Sequence, residues 1–254
     1  HIIYMKKIDY ISNLNLAKKA AKLAGNMLSE GFNHPKEKIF SSDKDIKLSS
    51  DIKAEELIKE IIQHQSNLPI LAEESGKSSN NLTDTFWVID PLDGTANYER
   101  KIPICCVSIA IVSGLEPILG VIYDFNNNLL YEGSKYSEAK VNEKLIQTSD
   151  NSNKNEGVLV TGLPNNTDYS NESLKAMIDD FQNWRKVRMI GSAGIASVYV
   201  ASGKADLYKE KKTYLWDIAA GAAIANSAGG NVKISKPNNN FQVDVSISNG
   251  KIND

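Results

Sequence analysis

The residues best suited to chemistry lie in one short stretch, Trp87-Val88-Ile89-Asp90-Pro91-Leu92-Asp93-Gly94-Thr95. An apolar run with strand character ends in two carboxylates three positions apart. Pro91 removes a backbone donor and stiffens the turn between them. Gly94 permits close backbone approach. Thr95 can open a short helix whose free N–H groups face an anion. Two hard carboxylates beside an anion cradle suit Mg²⁺ together with a phosphate group. Taken alone, the pattern fits a capped turn with two surface aspartates equally well.

Three further acidic sites change that balance. Glu73 and Glu74 follow an apolar strand, Asp51 opens a helix, and Asp217 follows Trp216 at the head of a small-residue helix. Each stands at the edge of a regular element, where a scaffold can aim it inward. Singly, each reads as a solvated cap. Together they describe a carboxylate cage, which needs cations because like charges in one cleft repel.

The elements that must position these groups follow from periodicity. Leu16, Ala20, Leu23, Ala24, Met27 and Leu28 predict an amphipathic helix ending near Gly31. Ala54, Leu57, Ile58, Ile61 and Ile62 predict a second, starting near Ser50 as its N-cap with Asp51 in the first turn. Residues 35–49 between them read as a loop or short hairpin. Strands are expected over 69–72, 86–89, 104–112 and 118–125, the last two joined by a turn at 113–117, with 129–132 extending the meander. The polar stretch 148–156 is the expected linker. Beyond it strands at 157–161, 186–190, 205–208 and 243–248 alternate with helices at 172–184, 193–201 and 216–228. The mixture argues for a layered α/β or α+β fold. The chain is read as a single unit, 1–254, with parts at about 1–150 and 156–254.

Composition sets the frame. With 254 residues, 41% hydrophobic and 24% charged, the chain is neither collagenous, disordered nor a disulfide scaffold, and it is long enough for a sizeable core. A net charge of −2 gives no footprint for nucleic acid or an anionic membrane. Cys105 and Cys106 are adjacent in an apolar run and read as reduced core thiols. His34 and His64 read as surface residues. No stretch reaches the roughly 18 apolar residues of a membrane helix. The segment 1–10 lacks signal-peptide anatomy and Met5 is the expected natural start, so a cytoplasmic setting is expected. Walker loops, zinc spacings and dinucleotide fingerprints are missing from the sequence.

Four segments in order now carry a resemblance. Asp90-Pro91-Leu92-Asp93-Gly94-Thr95-Ala96-Asn97-Tyr98 resembles the first signature of the inositol monophosphatase family. Trp216-Asp217-Ile218-Ala219-Ala220-Gly221 through Gly229-Gly230 resembles its second. Leu71-Ala72-Glu73-Glu74-Ser75-Gly76 and Asp45 to Asp51 resemble its Glu-Glu-Ser and helix-opening aspartate segments. The resemblance covers almost the whole chain.

It implies an αβαβα fold, a homodimer, Li⁺ sensitivity and hydrolysis of a small phosphorylated substrate with two or three Mg²⁺ ions. Glu73, Asp90 and the Leu92 carbonyl would bind one ion. Asp90, Asp93 and Asp217 would bind a second, with Asp90 bridging. Thr95 and Asp51, with Glu73, would position the attacking water, and Glu74 would make an outer contact. The amides of Gly94 and Thr95 would hold the phosphate. Gly191, Ser192 and Ala193 match a substrate loop, and Glu210 matches the glutamate that contacts a sugar hydroxyl.

The sequence departs from the family at Lys47-Leu48, where a Val-Thr pair is common, and at Ala72, where Gly or Ser is common. The segment Lys211-Lys212-Thr213-Tyr214-Leu215 lacks the Gly that inositol-type members usually carry. Its basic character suits a second phosphate. Asn97-Tyr98 and Glu210 favour an inositol or sugar monophosphate. Lys211 and Lys212 keep a 3′(2′),5′-bisphosphate nucleotidase open. Fructose-1,6-bisphosphatase and histidinol-phosphate activities lie within the same superfamily. A non-catalytic role on the transcription machinery stands third.

Overall fold

The computed structural model describes residues 2–41, 46–78, 82–164 and 167–252, with side chains from Tyr10 onward. Asp45 of the helix-opening segment lies outside the described residues, and so do the side chains before Tyr10.

The first half builds one wide sheet. Helix α1 (Ile2–Gly31) is followed by a hairpin of β1 (Lys38–Ser41) and β2 (Ile46–Leu48), then α2 (Ser49–Gln63). Strands β3 (Ile70–Ala72), β4 (Gly76–Lys77) and β5 (Thr85–Asp93) lead into the one-turn helix α3 (Thr95–Glu99). A meander follows: β6 (Cys106–Ser113), β7 (Glu116–Asp124), β8 (Leu129–Ser134), β9 (Ser137–Val141) and β10 (Lys144–Leu145). These strands form one sheet in the order β10-β9-β8-β7-β6-β5-β3-β4, antiparallel except where β3 runs parallel to β5.

The second half begins with β11 (Val158–Thr161), α4 (Asn171–Phe181), β12 (Lys186–Met189) and α5 (Ala193–Ala201). Strand β13 (Leu207–Tyr214), α6 (Leu215–Ser227), β14 (Asn231–Ile234) and β15 (Gln242–Ser248) complete it. The second sheet has the order β12-β11-β13-β15-β14. Its first three strands run parallel, and β15 and β14 are antiparallel.

Strand alternation explains how the layers stack. Trp87, Ile89, Ile109, Ile111 and Val121 pack against α1 and α2, while Phe86, Val88, Ala110, Val112 and Ile122 face α5 and α6. The β5, β6 and β7 sequences are therefore near-continuous apolar runs, as expected of strands covered on both faces. Helices α5 and α6 also receive Val160, Tyr208, Val245 and Ile247 from the second sheet. On that sheet's far side Phe181 of α4 packs on Leu159 and Leu207. The result is the expected αβαβα stack. No described helix is long and apolar enough to cross a membrane.

Leu23 points outward, and the buried stripe of α1 is Leu16, Ala17, Ala20, Ala21, Ala24 and Leu28. Small residues there let the helix lie close on β7. Ser50 does not cap α2. The cap position is Leu48, whose amide donates to Asp51 Oδ2 at 2.6 Å. Strands β9, β10 and β14 were not foreseen, because their polar, edge-lying sequences lack an apolar alternation. His34 and His64 are exposed, and Cys105 and Cys106 are free buried thiols on opposite faces of the sheet.

Candidate active site

Three helix N-termini each hold one carboxylate: that of α2, on the outer face of the first sheet, and those of α5 and α6, between the two sheets. Asp51 sits at the third position of α2 and accepts the Leu48 amide. Asp217 repeats that arrangement in α6, accepting the Tyr214 amide at 2.9 Å and the Thr213 hydroxyl at 2.6 Å through Oδ2. Asp93 comes from β5 and serves α5 from outside. Its Oδ1 accepts the Ala193 amide at 3.1 Å, and its Oδ2 accepts the Gly194 amide at 2.8 Å and the Ser192 hydroxyl. Ser192 itself caps α5, accepting the Ile195 amide at 3.2 Å. The positive ends of three helices thus stabilise three negative groups that would otherwise repel.

The first motif is built on an irregular strand end. A bulge between Asp90 and Asp93 breaks the β5–β6 ladder, and the Leu92 amide turns back to Asp90 Oδ1 at 3.0 Å. Gly94 takes φ +89°, and a Cβ there would lie 2.9 Å from the Ile104 carbonyl, so only glycine fits. The Thr95 hydroxyl donates to the Leu92 carbonyl at 3.0 Å. Asn97 spans to the other half, donating to the carbonyls of Ile104 and Ile190 at 2.8 Å each. Tyr98 is buried and donates to the Leu28 carbonyl at 2.8 Å. Asn97 and Tyr98 therefore serve the scaffold, and neither lines the cleft.

Glu73 follows β3, its amide tied to the Ile89 carbonyl at 3.1 Å. Its turn is clamped from α2 and β2. Buried Glu55 accepts the Glu74 amide at 2.8 Å, and Lys47 is ion-paired with Glu74. Glu55 escaped the sequence reading of the site, where the i, i+4 spacing of Asp51 and Glu55 on α2 was the available signal; Lys47 was read as a departure from the family, without its role on Glu74.

A cleft of about 450 Å³ joins these groups. Glu73, Asp93, Asp217, Glu210, Thr213, Tyr214 and Trp216 line it, together with Gly162-Leu163-Pro164 and Gly191-Ser192-Ala193. Asp90 lies buried behind, in contact with Glu73. A larger hollow of about 560 Å³ beside Glu116 and Lys135 holds no such cluster among the described residues, and Lys135 there is paired with Glu116 at 2.8 Å. Chemistry, not volume, singles out the smaller cleft.

The carboxylates hold their protons strongly. Burial first, then the charges of Glu73, Asp93 and Asp217, push Asp90 well above the usual carboxylate range. Glu73 is raised by the surrounding protein and by Asp217, although water reaches it from the cleft, which makes the neighbouring charges the firmer cause. Burial raises Asp217 to about 7 against the lowering effect of Thr213, and raises Glu210 to about 8. Asp93 is raised less far, because its hydrogen bonds offset burial. Burial and like charge thus raise the proton affinity of both Glu73 and Asp90.

Hard oxygen donors that must otherwise retain protons fit a divalent cation such as Mg²⁺. Glu73, Asp90, the Leu92 carbonyl, Asp93 and Asp217 are the groups that would hold it. Among the described residues no three His, Cys, Asp or Glu side chains close on one point as they stand. Asp93 commits both of its oxygens to the start of α5, and Asp217 commits one to the start of α6.

Comparison with known proteins decides the assignment. The model of the inositol monophosphatase family matches residues 10–251. The chain belongs to the inositol monophosphatase family. Among relatives, a protein named Nus factor SuhB from Xylella fastidiosa is 37% identical, the match covering 86% of this chain and 80% of that one. A fructose-1,6-bisphosphatase/inositol-1-monophosphatase from Aquifex aeolicus is 36% identical over 85% of this chain and 83% of its own. The solved structure of an inositol monophosphatase from Anabaena superposes with a TM-score of 0.81 at 31% identity, covering 96% of this chain and 92% of that one. The fold of this family member is the inositol monophosphatase/fructose-1,6-bisphosphatase fold.

Proposed function

We propose that this protein is a Mg²⁺-dependent phosphomonoester hydrolase acting on inositol 1-phosphate or a related sugar phosphate. The observation that carries the reading is the meeting of Glu73, Asp90, Asp93 and Asp217 beside one open cleft, with Asp93 and Asp217 braced by helix ends. Bound Mg²⁺ would supply a water of lowered pKa and neutralise charge on the phosphoryl oxygens and leaving group. Glu73, Asp90, the Leu92 carbonyl, Asp93 and Asp217 would provide the oxygen donors. Thr95, Asp51 and Glu73 would orient the attacking water, and the Thr95 hydroxyl already fixes the Leu92 carbonyl. The Gly94 and Thr95 amides would hold the phosphate. Positioning and charge stabilisation then carry most of the reaction.

On the leaving-group side, Glu210 would accept a hydroxyl hydrogen of the sugar, with Gly191, Ser192 and Ala193 forming the opposite wall. The reading includes two or three Mg²⁺ ions, Li⁺ sensitivity, a homodimer, and a working unit made of the parts 1–150 and 156–254. The test is phosphate release from inositol 1-phosphate, adenosine 3′,5′-bisphosphate and fructose 1,6-bisphosphate, with Mg²⁺ and with EDTA. A tenfold advantage in kcat/KM for inositol phosphate, about 1.4 kcal/mol of transition-state preference, supports it. A preference for the bisphosphate nucleotide would assign the specificity to Lys211 and Lys212 instead.

A second, non-catalytic reading is favoured by the Nus factor name of several relatives. It places this chain on the transcription machinery. Binding that survives Asp93→Asn would support it as a separate role.

A further inference from the structure

Cys106 faces Asp93 across the β5–β6 ladder, at the register pair that closes the bulge after Asp90. Its thiol is fully buried and donates to Asp93 Oδ2 at 3.4 Å, within hydrogen-bond reach for sulfur. The Ser192 hydroxyl and the Gly194 amide converge on that same oxygen. Sγ of Cys106 also lies 4.0 Å from the Ser192 hydroxyl. Gly194 makes room for the group: a Cβ there would stand 2.7 Å from Cys106 Sγ and 2.9 Å from Asp93 Oδ2. Thiol, hydroxyl and glycine form a fitted socket for one carboxylate oxygen. The other oxygen, Oδ1, has a single amide contact, from Ala193.

We propose that Cys106, acting with Ser192, is a positioning residue that holds Asp93 Oδ2 against the start of α5 and so leaves Oδ1 as the oxygen available to the cation. The inference rests on the Mg²⁺-dependent reading above. A thiol is a weak donor. Its contribution comes from acting in a dry, crowded pocket where a carboxylate has few alternative partners. Groups that orient a metal ligand typically change metal affinity by 10- to 100-fold, and a thiol belongs at the lower end of that range or below it. The same contact ties the cation site to the wall formed by Gly191, Ser192 and Ala193, because the atoms that hold Asp93 also begin α5.

The test is Mg²⁺ titration by calorimetry, without substrate, of the unaltered protein and of Cys106→Ala, Cys106→Ser and Cys106→Val, with melting temperatures in EDTA alongside. Ala and Ser are close in size, so both lose similar packing, but only Ser keeps a donor. Val keeps bulk and lacks the donor. The expected result is Mg²⁺ binding weakened about three- to tenfold in the Ala and Val variants. Cys106→Ser should stay within about twofold of the unaltered protein, while Ala and Ser lower the melting temperature alike. Equal weakening in the Ala and Ser variants would reduce Cys106 to packing and overturn the inference. So would unchanged binding in the Ala and Val variants of a protein that does bind Mg²⁺. If the unaltered protein binds no Mg²⁺, the functional reading falls first and this inference falls with it.

Discussion

Thr213 donates its hydroxyl to Asp217 Oδ2 at 2.6 Å, across the first turn of α6. Thr213 is buried at the inner wall of the cleft, so its hydroxyl has few partners besides this carboxylate. It fixes the rotamer of a proposed cation ligand and works against burial to keep that carboxyl ionised. Thr213→Val preserves shape and deletes the donor. It should cost about 1 kcal/mol of stability and raise the Mg²⁺ concentration giving half-maximal phosphate release. Thermal melts and Mg²⁺-dependent rates check both. A variant that melts lower with an unchanged Mg²⁺ requirement would show that Thr213 serves only the helix.

Asp93→Asn and Asp217→Asn separate the two duties of these residues. At Asp217 one amide oxygen can still accept the Tyr214 amide, so the start of α6 should persist. At Asp93 both oxygens accept, so Asn keeps one acceptor, leaves one N–H of α5 unpaired and should also lower the melting temperature. The circular dichroism spectrum should confirm that both variants stay folded. The charge for a cation is lost. Turnover at saturating Mg²⁺ should fall by at least about a hundredfold, more than is typical for groups one step removed from a metal. Near-normal turnover in either variant would refute the metal-assisted reading.

The raised carboxyls predict how the metal-free protein responds to pH. Glu73, Asp90, Asp217 and Glu210 bind protons more tightly folded than unfolded, with Asp217 near 7 and Glu210 near 8. The destabilisation is absent below the unfolded value of about 4 and complete above the folded values, so stability falls as pH rises. In EDTA the melting temperature should drop between pH 5.5 and 8.5. Mg²⁺ should flatten that decline, giving a larger stabilisation at pH 8.5 than at 5.5. Melts at both pH values, with and without Mg²⁺, decide it, and a metal-free protein that stabilises across this range would contradict the crowded cluster.

The rim of the cleft predicts selectivity. Tyr214 stacks on Trp216 with ring centroids 4.6 Å apart, and both line the cleft with Leu163 and Pro164. Tyr214→Ala should raise KM for a preferred substrate while leaving kcat within about threefold, the pattern of lost uniform binding. Lys211 and Lys212 are exposed beside this wall. Their replacement by Ala should lower kcat/KM for bisphosphates and spare monophosphates. Equal losses on both would remove the lysines from specificity.

The architecture was legible where periodicity was strong. β5 to β8 and α5 and α6 read directly, because their apolar runs are long and bounded by turns. Edge elements did not read, since β9, β10 and β14 are paired on a sheet margin with little buried side-chain surface. The metal-type carboxylates were visible as residues at element ends. Their shared logic was hidden: one-dimensional spacing shows Asp51 and Asp217 near helix starts, but not that Asp93 caps a helix a hundred residues away. Cys106 and Glu55 were passed over for the same reason, because their partners are distant in sequence. Asn97-Tyr98 carried a family signal, yet their physical work is to join α1, α3 and the 190–191 loop.

Helices α5 and α6 are covered by a sheet on each side, and their small side chains are almost all buried. Such a layer has little room for drift, since a larger residue must displace one sheet or the other. Leu163, Pro164, Lys211, Lys212 and Tyr214, by contrast, lie at or beside the mouth of the cleft, less buried than that layer. The reacting groups are thereby fenced off from change, and the rim is free to vary. On the proposed phosphatase reading, a lineage built on this plan can keep one chemistry and change its substrate by editing a handful of exposed residues.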